Sequence, residues 1–333
     1  MNREYLQGVI PRFAGTRVMV IGDLMADKYL WGNASRLSPE APVPVVRVSY
    51  EEYKLGGAAN VANNVRTLGA EVYLCGIVGY DDAAHWFRKA AREVGIDTSG
   101  IFPSEHRPTT LKVRVMSIDY NQQLLRFDYE SIEPFINSEF ATVKKYIESY
   151  IDTVDAVILS DYDKGVFKNP ALVQEVIQLT RRRKTITVVD ARSTNPQLFS
   201  NTTLVTLSTH EIQELAYEPM RKRVDEICDL GSRMSKAMKS RALVIIHGEE
   251  EIFLFVKDHD RPYRFPISKT TFHDVAGMRD TIVSVLALSL HAGADFEEAG
   301  YLASIAAGKV LAKVGTATVT GDELIEALTL RKD

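Results

Sequence analysis

Apolar positions along the first third of the chain change period twice, and the changes mark element types. Residues 16–23, Thr-Arg-Val-Met-Val-Ile-Gly-Asp, form a short β-branched run ending in Gly-Asp, the pattern of a buried parallel strand with a polar carboxyl end. A helical period follows at 58–68, an apolar strand at 72–78 and a helix at 82–94. Further strands are predicted at 156–159, 186–190, 204–206 and 243–246, with helices at 171–182 and 224–237. Strands alternating with helices predict an α/β fold, a mainly parallel sheet flanked by helices on both faces. The chain closes with helical patterns at 277–291, 296–314 and 322–328.

Two stretches break the alternation. Residues 42–48 and the pair 109–117 and 122–130, joined by a turn at 118–121, read as strands with no helix between them. They predict a small antiparallel β flap beside the main sheet, placed to act as a lid or as a surface for a second copy. The whole of 1–333 is expected to be one domain, the flap being its appendage.

Composition narrows the partners. The 333 residues carry 40 Lys and Arg against 44 Asp and Glu, a formal charge of -4, which supplies no broad cationic surface for nucleic acid. No run approaches a membrane span, and the N-terminus has no signal-like apolar segment, so no membrane partner and a cytoplasmic location are expected. Cys75 and Cys228 read as small hydrophobes rather than a disulfide. The basic run 181–184 falls at a helix end, where cations favour the negative pole of the dipole.

Four features carry candidate chemistry. Asp23, followed by Asp27, ends a strand where open α/β sheets place ligand contacts, and its carboxylate can accept from sugar hydroxyls. Gly56 and Gly57 precede a helix bearing Asn60, so backbone N–H groups and an amide side chain can face a ligand; a tight turn built for packing is the plainer alternative. Lys112 and Arg114 share a strand face and could hold a substrate phosphate, or be solvated charges. Last, 272–281 place Gly277, Arg279 and Asp280 before an apolar helix, where an aspartate can take a hydroxyl proton while free N–H groups face a phosphoryl group; a simple aspartate cap is the rival. His210, His247 and His273 occur singly, and no metal site of the protein's own is expected.

Taken in order, 21–25, 35–44, 56–60, 121–126 and 159–165 resemble the ribokinase-type, PfkB-like carbohydrate kinase family, with similarity from about residue 10 to 328. The wording of 36–44 is similar to the subgroup acting on D-glycero-D-manno-heptose 7-phosphate in lipopolysaccharide-core synthesis. The resemblance implies a ribokinase-like fold, a sugar phosphate and ATP as substrates, and Mg2+ arriving with ATP; the unpaired flap edges, which need cover, point to a homodimer through the flap. It also implies that Asp280 is the base, that Asp23, Gly56, Gly57, Asn60, Lys112 and Arg114 face the sugar phosphate, and that Arg192, Ser208 and Glu211 face nucleotide and Mg2+. Some family members carry a nucleotidyltransferase domain marked by His-x-Gly-His; these residues show no such motif, and that activity is not expected.

Departures from the family pattern gather on the nucleotide side. The family's Thr-Gly-Ala-Gly-Asp turn reads Ala276-Gly277-Met278-Arg279-Asp280, its Asn-x-x-Glu motif reads Ser208-Thr209-His210-Glu211, its Asp-Pro-Lys reads Asp190-Ala191-Arg192, and Glu249, Glu250 and Glu251 follow Gly248. Two expectations follow. Either Arg279 is a compensating phosphate ligand in a working kinase, or the chain is a weak or inactive homologue that binds the sugar phosphate.

Overall fold

The computed structural model describes residues 1–192, 195–216, 223–268, 277–313 and 316–330. Its strands are β1 (Arg17–Gly22), β2 (Leu24–Leu37), β3 (Pro44–Gly57), β4 (Glu71–Gly79), β5 (Asp97–Ser104), β6 (Thr110–Ser117), β7 (Gln122–Tyr129), β8 (Ala156–Ser160), β9 (Ile186–Asp190), β10 (Leu204–Ser208), β11 (Ala242–His247), β12 (Glu251–Val256) and β13 (Tyr263–Pro266). Nine form one sheet in the order β13-β12-β11-β10-β9-β8-β1-β4-β5. All its pairings are parallel except β11 with β12 and β12 with β13.

The period-two alternation of buried side chains explains why helices cover both faces. Val18, Val20, Ile158, Val244 and Ile246 join one core with the helices Ala58–Thr67, Met278–His291 and Phe296–Leu311. Their neighbours Met19, Ile21, Val157, Leu159, Leu243 and Ile245 join the opposite core with the helices Asn137–Tyr150, Pro170–Arg183 and Val224–Met238. A strand buried on both sides reads as a continuous apolar run, and β1, β8 and β11 do. No helix among the described residues is long and apolar enough to cross a membrane.

The flap is a second sheet, β3-β2-β6-β7. Two of its pairings are antiparallel, as the sequence pattern implies, whereas β2 runs parallel to β6. Residues 24–37 were not expected to be a strand: their polar positions and two register shifts against β3 blur the alternation. β2 leaves β1 directly, so the flap grows out of the carboxyl end of the central strand. β1 is also where strand order reverses, with β4 and β5 on one side and β8 to β13 on the other, and ligands of open α/β sheets sit outside such a reversal.

Candidate active site

The site is assembled around Asp280, in the first turn of the helix Met278–His291. Gly277 caps that helix with φ 84°, a left-handed conformation that suits glycine, and offers no side chain to the first turn. Among the described residues the first backbone bond of this helix is from Thr281 N–H to Gly277 O. Asn60 Nδ2 donates to Asp280 Oδ2 at 2.6 Å and Tyr162 Oη donates to Oδ1 at 2.5 Å. Burial pushes the Asp280 carboxyl up to about 6; Arg192 opposes the rise, Asp190 adds to it, and the bonds from Tyr162 and Asn60 oppose it.

Asn60 stands on the helix Ala58–Thr67, which Gly57 opens with φ 56°. One turn on, Asn64 Nδ2 donates to Asn60 O, and Asn64 Oδ1 accepts from Thr281 Oγ1 at 2.7 Å. Asn64 and Tyr162 were not assigned roles from sequence. The signal for Asn64 was present, since a second Asn at i+4 on an otherwise apolar helix face is a costly burial unless it is bonded. Tyr162 lies in 159–165, but nothing in that wording showed that its hydroxyl reaches a helix more than a hundred residues away.

Asp23 holds a loop in place. Its carboxylate accepts from the backbone N–H groups of Tyr162 at 2.8 Å, Lys164 at 3.1 Å and Val166 at 3.2 Å, fixing the loop that delivers Tyr162. Asp27 instead faces the flap. Its Oδ1 accepts from Arg114 Nη1 at 2.5 Å, and a Cβ at Gly56 would fall 2.5 Å from its Oδ2, so only glycine there lets the carboxylate lie against the backbone. Lys112 and Arg114 do share a face, yet neither is a bare cation. Lys112 Nζ meets Asp128 at 2.9 Å and Glu130 at 3.5 Å, and Glu130 also takes Lys164 Nζ at 2.9 Å.

Larger corrections fall on the nucleotide side. Arg279 does not require positive φ; it lies in the first helical turn, and Gly277 alone carries the left-handed conformation there. Nor does its guanidinium reach for phosphate. Nε donates to Asp190 Oδ1, Nη1 to both oxygens of Glu211 at 2.6 and 2.8 Å, and Nη2 to Ala191 O at 2.7 Å and Thr206 O at 3.2 Å. Ser208 and Glu211 form a capping box on the helix Thr209–Ala216: Glu211 N donates to Ser208 Oγ at 3.2 Å and Ser208 N to Glu211 Oε2 at 2.6 Å. Ser-x-x-Glu is a capping-box wording in its own right, and that reading describes the structure. A divalent ion seated on Glu211 does not fit, because the Arg279 cation lies against both carboxylate oxygens and would repel it.

Arg192 is different. Its guanidinium stacks 3.9 Å from the Tyr162 ring centroid and makes no ion pair among the described residues. Glu251 is held by Arg264 at 2.9 and 3.0 Å, which offsets part of the negative charge of 249–251. Around the centre, Asn60 Oδ1, Ser160 Oγ, Asp161 Oδ2, Asp190 Oδ2 and Thr316 Oγ1 are buried without a hydrogen-bond partner among the described residues. Asp161 is pushed up to about 7, chiefly by burial and then by Asp23. Ser160 and Asp190 end β8 and β9, and buried polar atoms left without partners at strand ends are candidates for ligand contacts. Ala276, His273 and positions 314–315 of the closing segment lie outside the described residues.

The profile of the pfkB family carbohydrate kinases matches residues 15–322. The chain belongs to that family. Curated relatives named bifunctional protein HldE are 38% identical over 96% of the chain in Shewanella baltica and 37% identical over 97% in Escherichia coli. The chain spans 65% and 66% of the length of those two relatives. Solved structures agree on the ribokinase-like fold. Arabidopsis thaliana ribokinase complexed with ribose and ATP has a TM-score of 0.73 at 16% identity, covering 96% of this chain and 100% of that one. Phosphofructokinase-2 from Escherichia coli, in complex with substrates and products, has a TM-score of 0.77 at 14% identity, covering 95% and 99%.

Proposed function

We propose that this pfkB family carbohydrate kinase transfers the γ-phosphoryl of ATP to a hydroxyl of D-glycero-D-manno-heptose 7-phosphate, in the synthesis of lipopolysaccharide-core heptose. The observation that carries the chemistry is Asp280: a buried carboxyl raised to about 6, held by two donors, in the first turn of a helix whose leading N–H groups have no side-chain cap. Asp280 is ionised at neutral pH and accepts the proton of the attacking hydroxyl. Each of its oxygens accepts from one donor among the described residues, which leaves a lone pair for that hydroxyl. Gly277 and the first N–H groups of its helix face the transferring phosphoryl and stabilise its charge, and Arg192 supplies a cation beside Asp280. The heptose assignment rests on the wording of 36–44 and on the HldE relatives. The flap cations Lys112 and Arg114, with Lys164 of the loop after β8, receive the phosphate the sugar already carries by exchanging their carboxylate partners for it.

Mg2+ enters as part of the ATP complex, since Glu211 is not free to hold it. The reaction takes place in the cytoplasm, and residues 1–333 act as one kinase unit. A second copy of the chain covers the flap: Tyr50, Leu125, Phe127 and Tyr129 are exposed there, and nearly every residue of β7 is open to solvent. Sedimentation showing only monomer at micromolar concentration would remove the dimer.

The deciding experiment is incubation with Mg-ATP and the heptose 7-phosphate, detecting bisphosphate directly, with Asp280→Asn as the control for contaminating kinase. Product lost in the variant supports the reading. Absent product with intact sugar-phosphate binding would replace it with a binding protein.

A further inference from the structure

The Arg279 guanidinium sits among two carboxylates and two backbone carbonyls, contributed by the end of β9, the following residue, β10 and the helix Thr209–Ala216. Oxygen donors of this kind, converging from several elements, are the ligand set of a hard divalent cation. Here the centre is filled by a side chain that stays charged at any pH the protein meets. Asp190 is fully buried, its Oδ1 also accepts from Thr206 Oγ1 at 2.9 Å, and its Oδ2 has no partner among the described residues. Without the arginine, Asp190 and Glu211 would lose the one cation that bonds both of them among the described residues.

We propose that Arg279 is a built-in counter-ion occupying the seat a divalent cation would need at Asp190 and Glu211, so that these carboxylates bind no Mg2+ and the metal comes and goes with the nucleotide alone. The proposal rests on the kinase reading for its meaning, because it assigns the metal's route into the reaction. Its geometry does not depend on turnover. It also explains how Gly-to-Arg at 279 and Asn-to-Ser at 208 can occur together in one chain. Ser208 completes the cap that aims Glu211, and Glu211 then receives the arginine.

The test is Mn2+ titration of nucleotide-free protein, with bound ion read by electron paramagnetic resonance. The wild-type chain is expected to hold no Mn2+ at submillimolar concentration, and E211Q to behave the same. Arg279→Ala is expected to gain one Mn2+ bound at least about tenfold more tightly than any site on the wild type, by exposing the oxygen set. Arg279→Ala combined with Glu211→Gln is expected to lose it again. Two results would overturn the proposal: a wild-type Mn2+ site that E211Q abolishes, or an Arg279→Ala protein that is folded by circular dichroism and gains no ion. Should Arg279→Ala not fold, Arg279→Met fills the side-chain volume, and the wild-type and E211Q pair still decides. Since no arm measures phosphotransfer, a protein with the predicted Mn2+ behaviour but no kinase activity would sink the functional reading alone.

Discussion

Two charged clusters flank Asp280, and they use similar residues to opposite ends. At the flap, Lys112, Asp128 and Glu130 pair with one another and with Lys164 of the loop after β8, with Lys112 and Asp128 16%, Lys164 20% and Glu130 25% exposed. On the nucleotide side, Arg279, Asp190 and Glu211 pair at 12%, 0% and 13% exposure, and the arginine's five hydrogen bonds go to four different residues. Partly solvated pairs cost little to rearrange, whereas a buried charge that loses its partner is left uncompensated. The flap cluster can therefore trade a carboxylate for a substrate phosphate. The other cannot, and its place is in the architecture that holds β9, β10 and the helix Met278–His291 in register.

The largest effect is expected where the clusters meet. Asp280→Asn keeps the size of the side chain but removes the base, and kcat should fall by about 10²–10⁴-fold in the bisphosphate assay. Folding should be little changed, which circular dichroism would show. Equal turnover in the variant would dissolve the idea that both clusters serve this carboxylate.

Breaking the comparison directly, Arg279→Ala should cost about 3–5 kcal/mol in urea denaturation, because it strands Asp190 and Glu211. A loss below about 1 kcal/mol would mean that the buried cluster is no more committed than the flap one.

A third variant sharpens the electrostatics of the centre. With Asp280 at about 6, wild-type kcat/KM should fall as pH drops through 6, since only the ionised carboxylate accepts the proton. Tyr162 donates to that carboxylate and so favours its charged form. Tyr162→Phe should move the acid limb upward by about one pH unit, the size of a ~1.4 kcal/mol interaction. A limb that stays put, or moves down, would deny Tyr162 a part in tuning the base.

Much of the main sheet was legible because its strands are buried on both faces, and continuous β-branched runs such as 156–159 and 186–190 have few other readings. β2 was not, since a strand with two irregularities and a half-exposed face loses its period. At the site, Asn60, Gly277 and Asp280 could be found from glycine-before-helix wording, a local signal. Asp23 and Arg279 were singled out along the chain, but their partners within the protein were not. What a carboxylate or guanidinium touches depends on distant segments: residues 162–166 close on Asp23, and β9, β10 and Glu211 close on Arg279. Sequence showed which charges were near the site, and only the fold showed which were already spent on each other.

The smallest expected effect tests the flap half of the comparison. Lys112 holds Asp128 and Glu130 at a partly solvated surface, so Lys112→Ala should lower stability by less than about 1 kcal/mol. Lys164 still reaches Glu130 at 2.9 Å, and Arg126 Nε still reaches Asp128 at 3.2 Å, so neither carboxylate is left alone. The consequence should lie in binding: KM for the sugar phosphate rises while kcat holds, the pattern of a contact made equally in ground and transition state. Added salt should raise the wild-type KM more than that of the variant, because the wild type has one more cation to screen. A variant that lost several kcal/mol of stability with KM unchanged would make Lys112 a structural residue like Arg279, and the two clusters would then be alike.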